Sequence, residues 1–244
     1  MTNSLAIIGG SGIDNIASWQ LKGKRRGETD FGEPSAEIEI YACGRCDFYF
    51  LPRHGRPHRI APHCINYRAN LRMLQQLGVK RIVAINSVGG ITASAGALLV
   101  PDLIIDYTYG REHTFYTGEI GPVQHIDFTE PYSRRLRGDL LAAARRADID
   151  IIDGGVYAAT QGPRLESAAE IRRFERDGCD IVGMTGMPEA ALARELDIDY
   201  VALCIVVNAA AGKNEEVLSV AAMQKVMTSA LTNIEKLLDC FFAD

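Results

Sequence analysis

The segment Pro52-Arg53-His54-Gly55-Arg56-Pro57-His58 gathers two arginines and two histidines into seven residues beside helix-breaking prolines. A guanidinium carries a permanent charge and a fork of donors, so an ordered loop of this kind suits a phosphate-sized anion, with a neighbouring histidine as a further donor. A solvated basic loop is the alternative. A histidine metal site fits less well, because no carboxylate or cysteine stands at ligand spacing. Gly9-Gly10-Ser11-Gly12 is a second candidate. It lacks the third glycine of a dinucleotide fingerprint, the lysine of a Walker loop and the later glycine of a nucleophile elbow. One hydroxyl and several unobstructed backbone N–H groups remain, which can cradle an anion or simply make a tight turn. Asn208 closes an apolar run, where a side-chain amide must find partners or bear a desolvation cost. Glu166 stands just ahead of an expected helix, where its charge favours the helix N-terminus.

These groups need elements to hold them. Leu5 to Ile8 reads as a short buried strand running straight into the glycine turn. Residues 36–51 alternate as an antiparallel hairpin. Cys43 and Cys46 are read as neighbours across its turn, not as a redox pair or half a zinc site, since no second pair follows. Helical spacing runs from about His63 to Leu77 and ends at Gly78. A strand from Lys80 to Ile85 leads into a small-residue turn, Asn86-Ser87-Val88-Gly89-Gly90, and Pro101 to Ile105 is a further strand. Beyond these, the pattern predicts helices over Pro131–Ala147, Ser167–Arg176, Pro188–Leu196 and Ser219–Phe242. Strands are predicted over Ile151–Thr160, Ile181–Val182 and Tyr200–Val207. Such alternation predicts one α/β domain over residues 1–244, a sheet with helices on both faces. Ligands of open α/β sheets collect at the carboxyl ends of strands. Ser11, Arg53, His54, Asn86, Ser87, Met184, Thr185 and Asn208 are therefore expected to converge on one pocket.

Composition bounds the partners. Twenty-six Lys and Arg against 31 Asp and Glu give a net charge of −5, which argues against a nucleic-acid binder by bulk charge. A hydrophobic fraction of 47% with 23% charged residues is that of a packed globular chain. No run approaches the roughly 18 apolar residues of a membrane span, and Met1 to Ser4 lack the charged region of a secretory signal. A cytoplasmic protein with six scattered, reduced cysteines is expected.

Taken together, the motifs resemble the trimeric purine nucleoside phosphorylase and methylthioadenosine phosphorylase family. The resemblance runs from Ile7-Ile8-Gly9-Gly10-Ser11-Gly12 through Arg53-His54-Gly55-Arg56, Asn66-Tyr67-Arg68-Ala69-Asn70, Gly162-Pro163-Arg164 and Gly183-Met184-Thr185-Gly186-Met187-Pro188-Glu189 to Glu215-Glu216. It implies the family's single-domain fold, with a central mixed sheet, and phosphorolysis of a nucleoside. Phosphate would be held by Ser11, Arg53, His54, Ser87 and Thr185, with the backbone near Asn86 contributing. Met184 would lie against the ribose and the turn after Pro163 beside the base. Inorganic phosphate is a co-substrate in such a reaction, and no cofactor or metal is implied.

Departures from the family pattern carry the specificity. Asn208 and Ala210 stand where methylthioadenosine phosphorylases have aspartates. An ionised carboxylate repels a 6-oxo oxygen, whereas Asn208 can donate to that oxygen and accept from a protonated ring nitrogen 7. Glu166 occupies the position of a glutamate in the 6-oxopurine enzymes, where it can accept the ring nitrogen 1 hydrogen that adenine lacks. By contrast, Val220 replaces the histidine those enzymes place at the 5′-hydroxyl, and an apolar side chain there favours a methylthio group. The resemblance thus implies S-methyl-5′-thioinosine as substrate, with Asn208 and His54 in the catalytic roles. Leu165 replaces a stacking phenylalanine, for which Tyr116 or another aromatic is expected to compensate. The nearest alternatives are an inosine and guanosine phosphorylase, a methylthioadenosine phosphorylase with an altered base site, and a non-catalytic nucleoside-binding protein. Relatives are trimers, so a homotrimer is implied, with residues of the 113–128 region such as His113 near the adjacent site.

Overall fold

Leu5–Gly9 (β1) is buried along its whole length, as its unbroken apolar run requires, and lies parallel between Cys46–Pro52 (β4) and Arg81–Gly90 (β5). The structure is a computed structural model and describes residues 4–10, 13, 16, 18–44, 46–118, 122–214 and 220–243. Gln20–Arg25 (β2) and Ile38–Cys43 (β3) extend the sheet antiparallel beyond β4, and Cys43 pairs directly with Cys46 across the expected hairpin. Past β5 the sheet continues through Ile181–Gly183 (β10) and Val156–Ala159 (β9) to Leu103–Asp106 (β7). Asp199–Ala209 (β11) runs parallel to β5 along its full length. It also pairs with Leu98–Val100 (β6), which in turn pairs with Ile152–Asp153 (β8). The sheet is mixed and forks at β5.

That fork positions the site. On one edge of β5, β1 pairs as far as Ile85, opposite Gly9, while β10 enters antiparallel only at Gly89, opposite Val182. Asn86, Ser87 and Val88 lie between, on a strand held straight by β11 but with no strand partner on this edge among the described residues. The expected turn at Asn86–Gly90 is thus a strand, since the β11 ladder continues to Ala209 and carries the small residues with it. Likewise β11 outruns its apolar stretch. A bulge inserts Val207 between the pairs Val206–Val88 and Asn208–Gly89, the kind of irregularity that re-aims a side chain.

Helices cover both faces. Tyr67–Gln76 (α1) and Glu189–Glu195 (α4) pack their buried residues against one face, with Ala6, Ile8, Ile82 and Ala202. Arg134–Arg146 (α2) and Val220–Phe242 (α5) cover the other, with Leu5, Ile7, Val83 and Leu203. Ala168–Arg176 (α3) closes a smaller cluster through Ile171 and Phe174 against Val182. The alternation of strand residues between the two clusters follows the two-residue period of a strand.

Caps set the helix starts. The stretch expected as helix from His63 begins only at Tyr67, because Asn66 Oδ1 accepts the Ala69 N–H at 3.0 Å; Pro62–Cys64 form a single 3-10 turn before it. The strand expected over Ile151–Thr160 breaks at Gly154 and Gly155, with φ of 104° and 113°, a region that favours glycine. Among the described residues no helix is long and apolar enough to cross a membrane.

Candidate active site

A cavity of about 250 Å³ opens at the fork. Gly10, Arg53, His54, Asn86, Ser87 and Thr185 line one part of it; Leu165, Glu166, Met184, Asn208 and Ala210 line the rest. Seven of the eight residues expected to converge, Arg53, His54, Asn86, Ser87, Met184, Thr185 and Asn208, therefore share this wall, together with the base-side candidates Leu165, Glu166 and Ala210. Ser11 lies outside the described residues, as does the side chain of Val220, the first residue of α5.

Arg53 is fully buried, which so large a cation tolerates only when paired. Its Nε donates to Glu189 Oε2 at 2.7 Å and its Nη2 to Glu189 Oε1 at 2.8 Å, a bidentate fork. Burial works against the charge, but Glu189 more than offsets it and holds the guanidinium above its ordinary pKa. Tyr200 also donates to Glu189, at 2.9 Å. Arg53 is thus neutralised by a carboxylate from the start of α4, and its contribution to an anion is directed N–H groups rather than net charge. Nη2 also donates to Asn86 Oδ1 at 3.1 Å. Nη1 reaches only the Ile85 carbonyl, at a long 3.4 Å, beside Gly10, where a side-chain carbon would sit 3.3 Å away. The missing Cβ leaves Nη1 open.

Asn86 is oriented by the same bond. With Oδ1 committed to Arg53, its amide nitrogen is turned away, and Nδ2 is buried without an acceptor among the described residues. A buried N–H group without a partner carries a desolvation cost, which an anion in this cavity would relieve. Asn86 Nδ2 and Arg53 Nη1 are thus donors at this end of the cavity, whose wall Ser87 and Thr185 also line.

His54 departs from its expected role as a further donor. Its Nδ1 lies 2.8 Å from the Ile60 carbonyl, which can only accept, so Nδ1 carries the hydrogen. The ring stacks on His58 with centroids 4.3 Å apart. Burial, with the charge of Arg53 and of His58 adding to it against the Ile60 bond, lowers its pKa from the ordinary 6.5 to about 4. Near neutral pH the imidazole is uncharged and Nε2 is an acceptor, suited to the hydroxyl of a protonated phosphate. The sign of the stability effect follows: between pH 6.5 and 4 the unfolded chain binds this proton and the folded chain does not. The contribution is full above pH 6.5 and is lost as the pH falls, up to about 3 kcal/mol. Urea unfolding at pH 7 and at pH 4.5 should therefore show a smaller acid loss for His54→Gln than for the parent; equal losses would contradict the assignment.

Glu166 is not a helix-terminus charge. That place is taken by Glu170, which forms a reciprocal capping box with Ser167. Glu166 Oε1 instead accepts from Thr160 Oγ1 at 2.7 Å. Asn208, set by the bulge, donates one Nδ2 hydrogen to the Ala209 carbonyl at 2.6 Å. That leaves Oδ1 and a second N–H for a ligand. Gly89 makes room for it, since a Cβ there would lie 3.1 Å from Val182 Cγ1 and 3.6 Å from Asn208 Nδ2. Ala210 is buried and donates its backbone N–H to Gly90.

Leu165 lines the cavity but is 48% exposed, and Tyr116 packs against the hydrophobic core instead of the cavity. Among the described residues the wall has no Phe, Tyr or Trp, and Val88 and Val182 line it beside Leu165. His113 sits off the cavity, with Nε2 3.4 Å from Thr108 Oγ1.

Three contributors escape sequence reasoning. Glu189 ended a quoted motif, yet only the fold reveals its bond to Arg53. Met223, one turn into α5, lines the cavity; the period of the helix was the available signal. Arg111 donates to the carbonyls of Met184 at 2.9 Å, Thr160 at 3.0 Å and Gln161 at 2.8 Å, and to that of Met187. It ties the segment carrying Met184 and Thr185 to the end of β9, and nothing near it in sequence announces this.

Comparison with known proteins agrees with this geometry. A family model described as Phosphorylase superfamily matches residues 4–243. The chain is 48% identical over 232 residues to the "Probable S-methyl-5'-thioinosine phosphorylase" of Pseudomonas syringae pv. tomato, covering 94% of each. It is 42% identical over 241 residues to the 6-oxopurine nucleoside phosphorylase of Pyrococcus furiosus, covering 96% of this chain and 90% of that one. Among solved structures it resembles methylthioadenosine phosphorylase from Schistosoma mansoni in complex with adenine. That likeness has a TM-score of 0.94 at 31% identity and covers 100% of this chain and 91% of the other. A likeness that extends from the first strand to the last helix, at these identities, makes the chain a member of the phosphorylase superfamily.

Proposed function

We propose that the chain catalyses the phosphorolysis of S-methyl-5′-thioinosine to hypoxanthine and 5-methylthioribose 1-phosphate. One observation carries the reading: Glu166 and Asn208 line the same cavity as Arg53, Asn86, Ser87 and Thr185, so a base-reading pair faces an anion cradle. Phosphate held by the cradle, with Ser11 of the glycine turn, attacks the anomeric carbon. The C–N bond breaks as the new C–O bond forms, through an oxocarbenium-like sugar, and the departing base takes the electron pair. Nitrogen 7 of the departing base takes a proton from solvent, balancing the one the phosphate gives up as it becomes an ester; Asn208 offers N–H to the 6-oxo oxygen and Oδ1 to that N7–H, and Glu166 accepts from nitrogen 1. His54 accepts the phosphate hydroxyl through Nε2, which turns the nucleophilic oxygens toward the sugar. Met184 packs under the ribose, with Leu165 and Ala210 beside the base. No covalent enzyme intermediate and no further cofactor enter this scheme; position and electrostatics do the work.

The sugar end is read as apolar. Val220 begins α5, and Met223 and Val207 line the cavity, a setting for a methylthio group rather than a hydroxyl. An apolar contact discriminates by only about 1–3 kcal/mol, whereas an unmatched buried hydrogen-bonding group costs more, so the base is selected more strictly than the sugar. The names of the relatives from Pseudomonas syringae and Pyrococcus furiosus agree with a 6-oxopurine base. The second reading, a general inosine and guanosine phosphorylase, differs only at this sugar end. We further propose a single-domain, cytoplasmic homotrimer whose 113–128 region, with His113, approaches the neighbouring site.

Hypoxanthine release from S-methyl-5′-thioinosine and from inosine, each with and without phosphate, tests the reading. Release should require phosphate and be faster from the methylthio nucleoside. Phosphate-independent release would indicate hydrolysis, equal or faster reaction of inosine would favour the second reading, and no release from either would favour a nucleoside-binding protein.

A further inference from the structure

We propose that the Thr160 hydroxyl is the positioning group for Glu166 and that this one hydrogen bond sharpens the choice between 6-oxo and 6-amino purines. The inference rests on the reading of Glu166 given above. Thr160 follows β9 and is 7% exposed. Its backbone is fixed from two sides: its N–H donates to the Gly183 carbonyl at 2.8 Å, and its own carbonyl accepts from Arg111 at 3.0 Å. The next carbonyl, that of Gln161, is held by Arg111 as well. The Thr160 side chain therefore starts from an immobile point. Glu166 does not, because it is six residues further on, past the exposed Arg164 and Leu165.

A hydroxyl has one hydrogen to give. Thr160 Oγ1 lies 2.7 Å from Glu166 Oε1; the other acceptor within reach, the Gly183 carbonyl, is 3.3 Å away and already engaged by the Thr160 N–H. The short contact to a carboxylate is the stronger bond. It occupies Oε1 and leaves Oε2 for a hydrogen on ring nitrogen 1. A 6-amino purine has no hydrogen there, so its bare nitrogen repels the carboxylate. Moving Glu166 away then breaks the bond to Thr160. The wrong base loses two interactions instead of one. Thr160 is not among the residues that line this cavity, so its route to the base is through Glu166.

The test compares kcat/KM for S-methyl-5′-thioinosine with that for S-methyl-5′-thioadenosine in Thr160→Val, Thr160→Ser and Glu166→Ala, and in Thr160→Val combined with Glu166→Ala. Thr160→Ala replaces the valine variant if the added methyl prevents folding. Loss of the hydroxyl should lower the 6-oxo to 6-amino ratio about tenfold, mainly by raising KM for the 6-oxo substrate. Serine should retain most of the ratio, and in the Glu166→Ala background the Thr160 change should add less than about twofold. If Glu166→Ala lowers the ratio and the valine variant does not, or if the valine effect persists undiminished without Glu166, the positioning role is overturned while the base-site reading stands. An unchanged ratio in Glu166→Ala overturns that reading and the inference together.

Discussion

Arg53→Met should abolish phosphorolysis and also lower the stability of the fold by about 3–5 kcal/mol, because it strands the Glu189 carboxylate in a site with no solvent exposure. The two losses have different origins and can be separated. Replacing both partners, Arg53→Met with Glu189→Met, removes the unpaired charge and should recover most of the stability, since apolar residues of similar volume often match a buried ion pair. It should recover no activity, because the donors at Nη1 and Nη2 that orient the anion and Asn86 are still missing. Arg53→Lys keeps the charge but offers a point donor in place of a fork that serves two Glu189 oxygens and Asn86 at once. Its kcat/KM for phosphate should fall about a hundredfold. Urea unfolding and phosphate-dependent rates on the three variants check these outcomes. An active double variant would remove Arg53 from the phosphate site.

The second large effect is at the base. Asn208→Asp keeps the shape and changes one donor into an acceptor, so a 6-oxo oxygen meets a carboxylate. The bulge at Val207 fixes the backbone that carries this side chain, while the bond from Asn208 Nδ2 to the Ala209 carbonyl is lost with the amide, so the new carboxylate has no donor role left toward either the base or that carbonyl. Sites that hydrogen-bond their substrate reject a mismatched group by far more than apolar pockets do. A loss of at least about a hundredfold in kcat/KM on S-methyl-5′-thioinosine is expected, with a gain on S-methyl-5′-thioadenosine. Ala210 stands where a second aspartate occurs in the methylthioadenosine branch, so the gain should be partial. Unchanged base preference would remove Asn208 from base recognition.

Local patterns make much of this legible in the sequence alone. The strands with unbroken apolar runs, the hairpin around Cys43 and Cys46, the helix over α3 and the cluster of Arg53 with His54 are short-range signals, and each lies where the spacing predicted. What was not legible depends on partners distant in sequence. Asn86 to Gly90 reads as a turn because its residues are small and polar; the β11 ladder, more than a hundred residues later, keeps it extended. Arg53 reads as a free cation, and its neutralisation by Glu189 spans 136 positions. His54 reads as a donor until burial and the Ile60 carbonyl fix its tautomer and remove its charge. Glu166 was ambiguous between a helix charge and a base ligand, and the capping box of Ser167 with Glu170 removes the first role. Residue type suggested the chemistry, while the protonation and orientation of each group came from its tertiary contacts.

The central claim is that the donors of Asn208 and the carboxylate of Glu166 select a 6-oxopurine for phosphorolysis in the cavity at the fork of the sheet. The most direct measurement offers the enzyme equal concentrations of S-methyl-5′-thioinosine and S-methyl-5′-thioadenosine in one reaction with phosphate, and follows hypoxanthine and adenine release together. The initial-rate ratio then equals the ratio of the two kcat/KM values. Hypoxanthine should exceed adenine by at least about a hundredfold. Adenine release equal to or greater than hypoxanthine release would contradict the account.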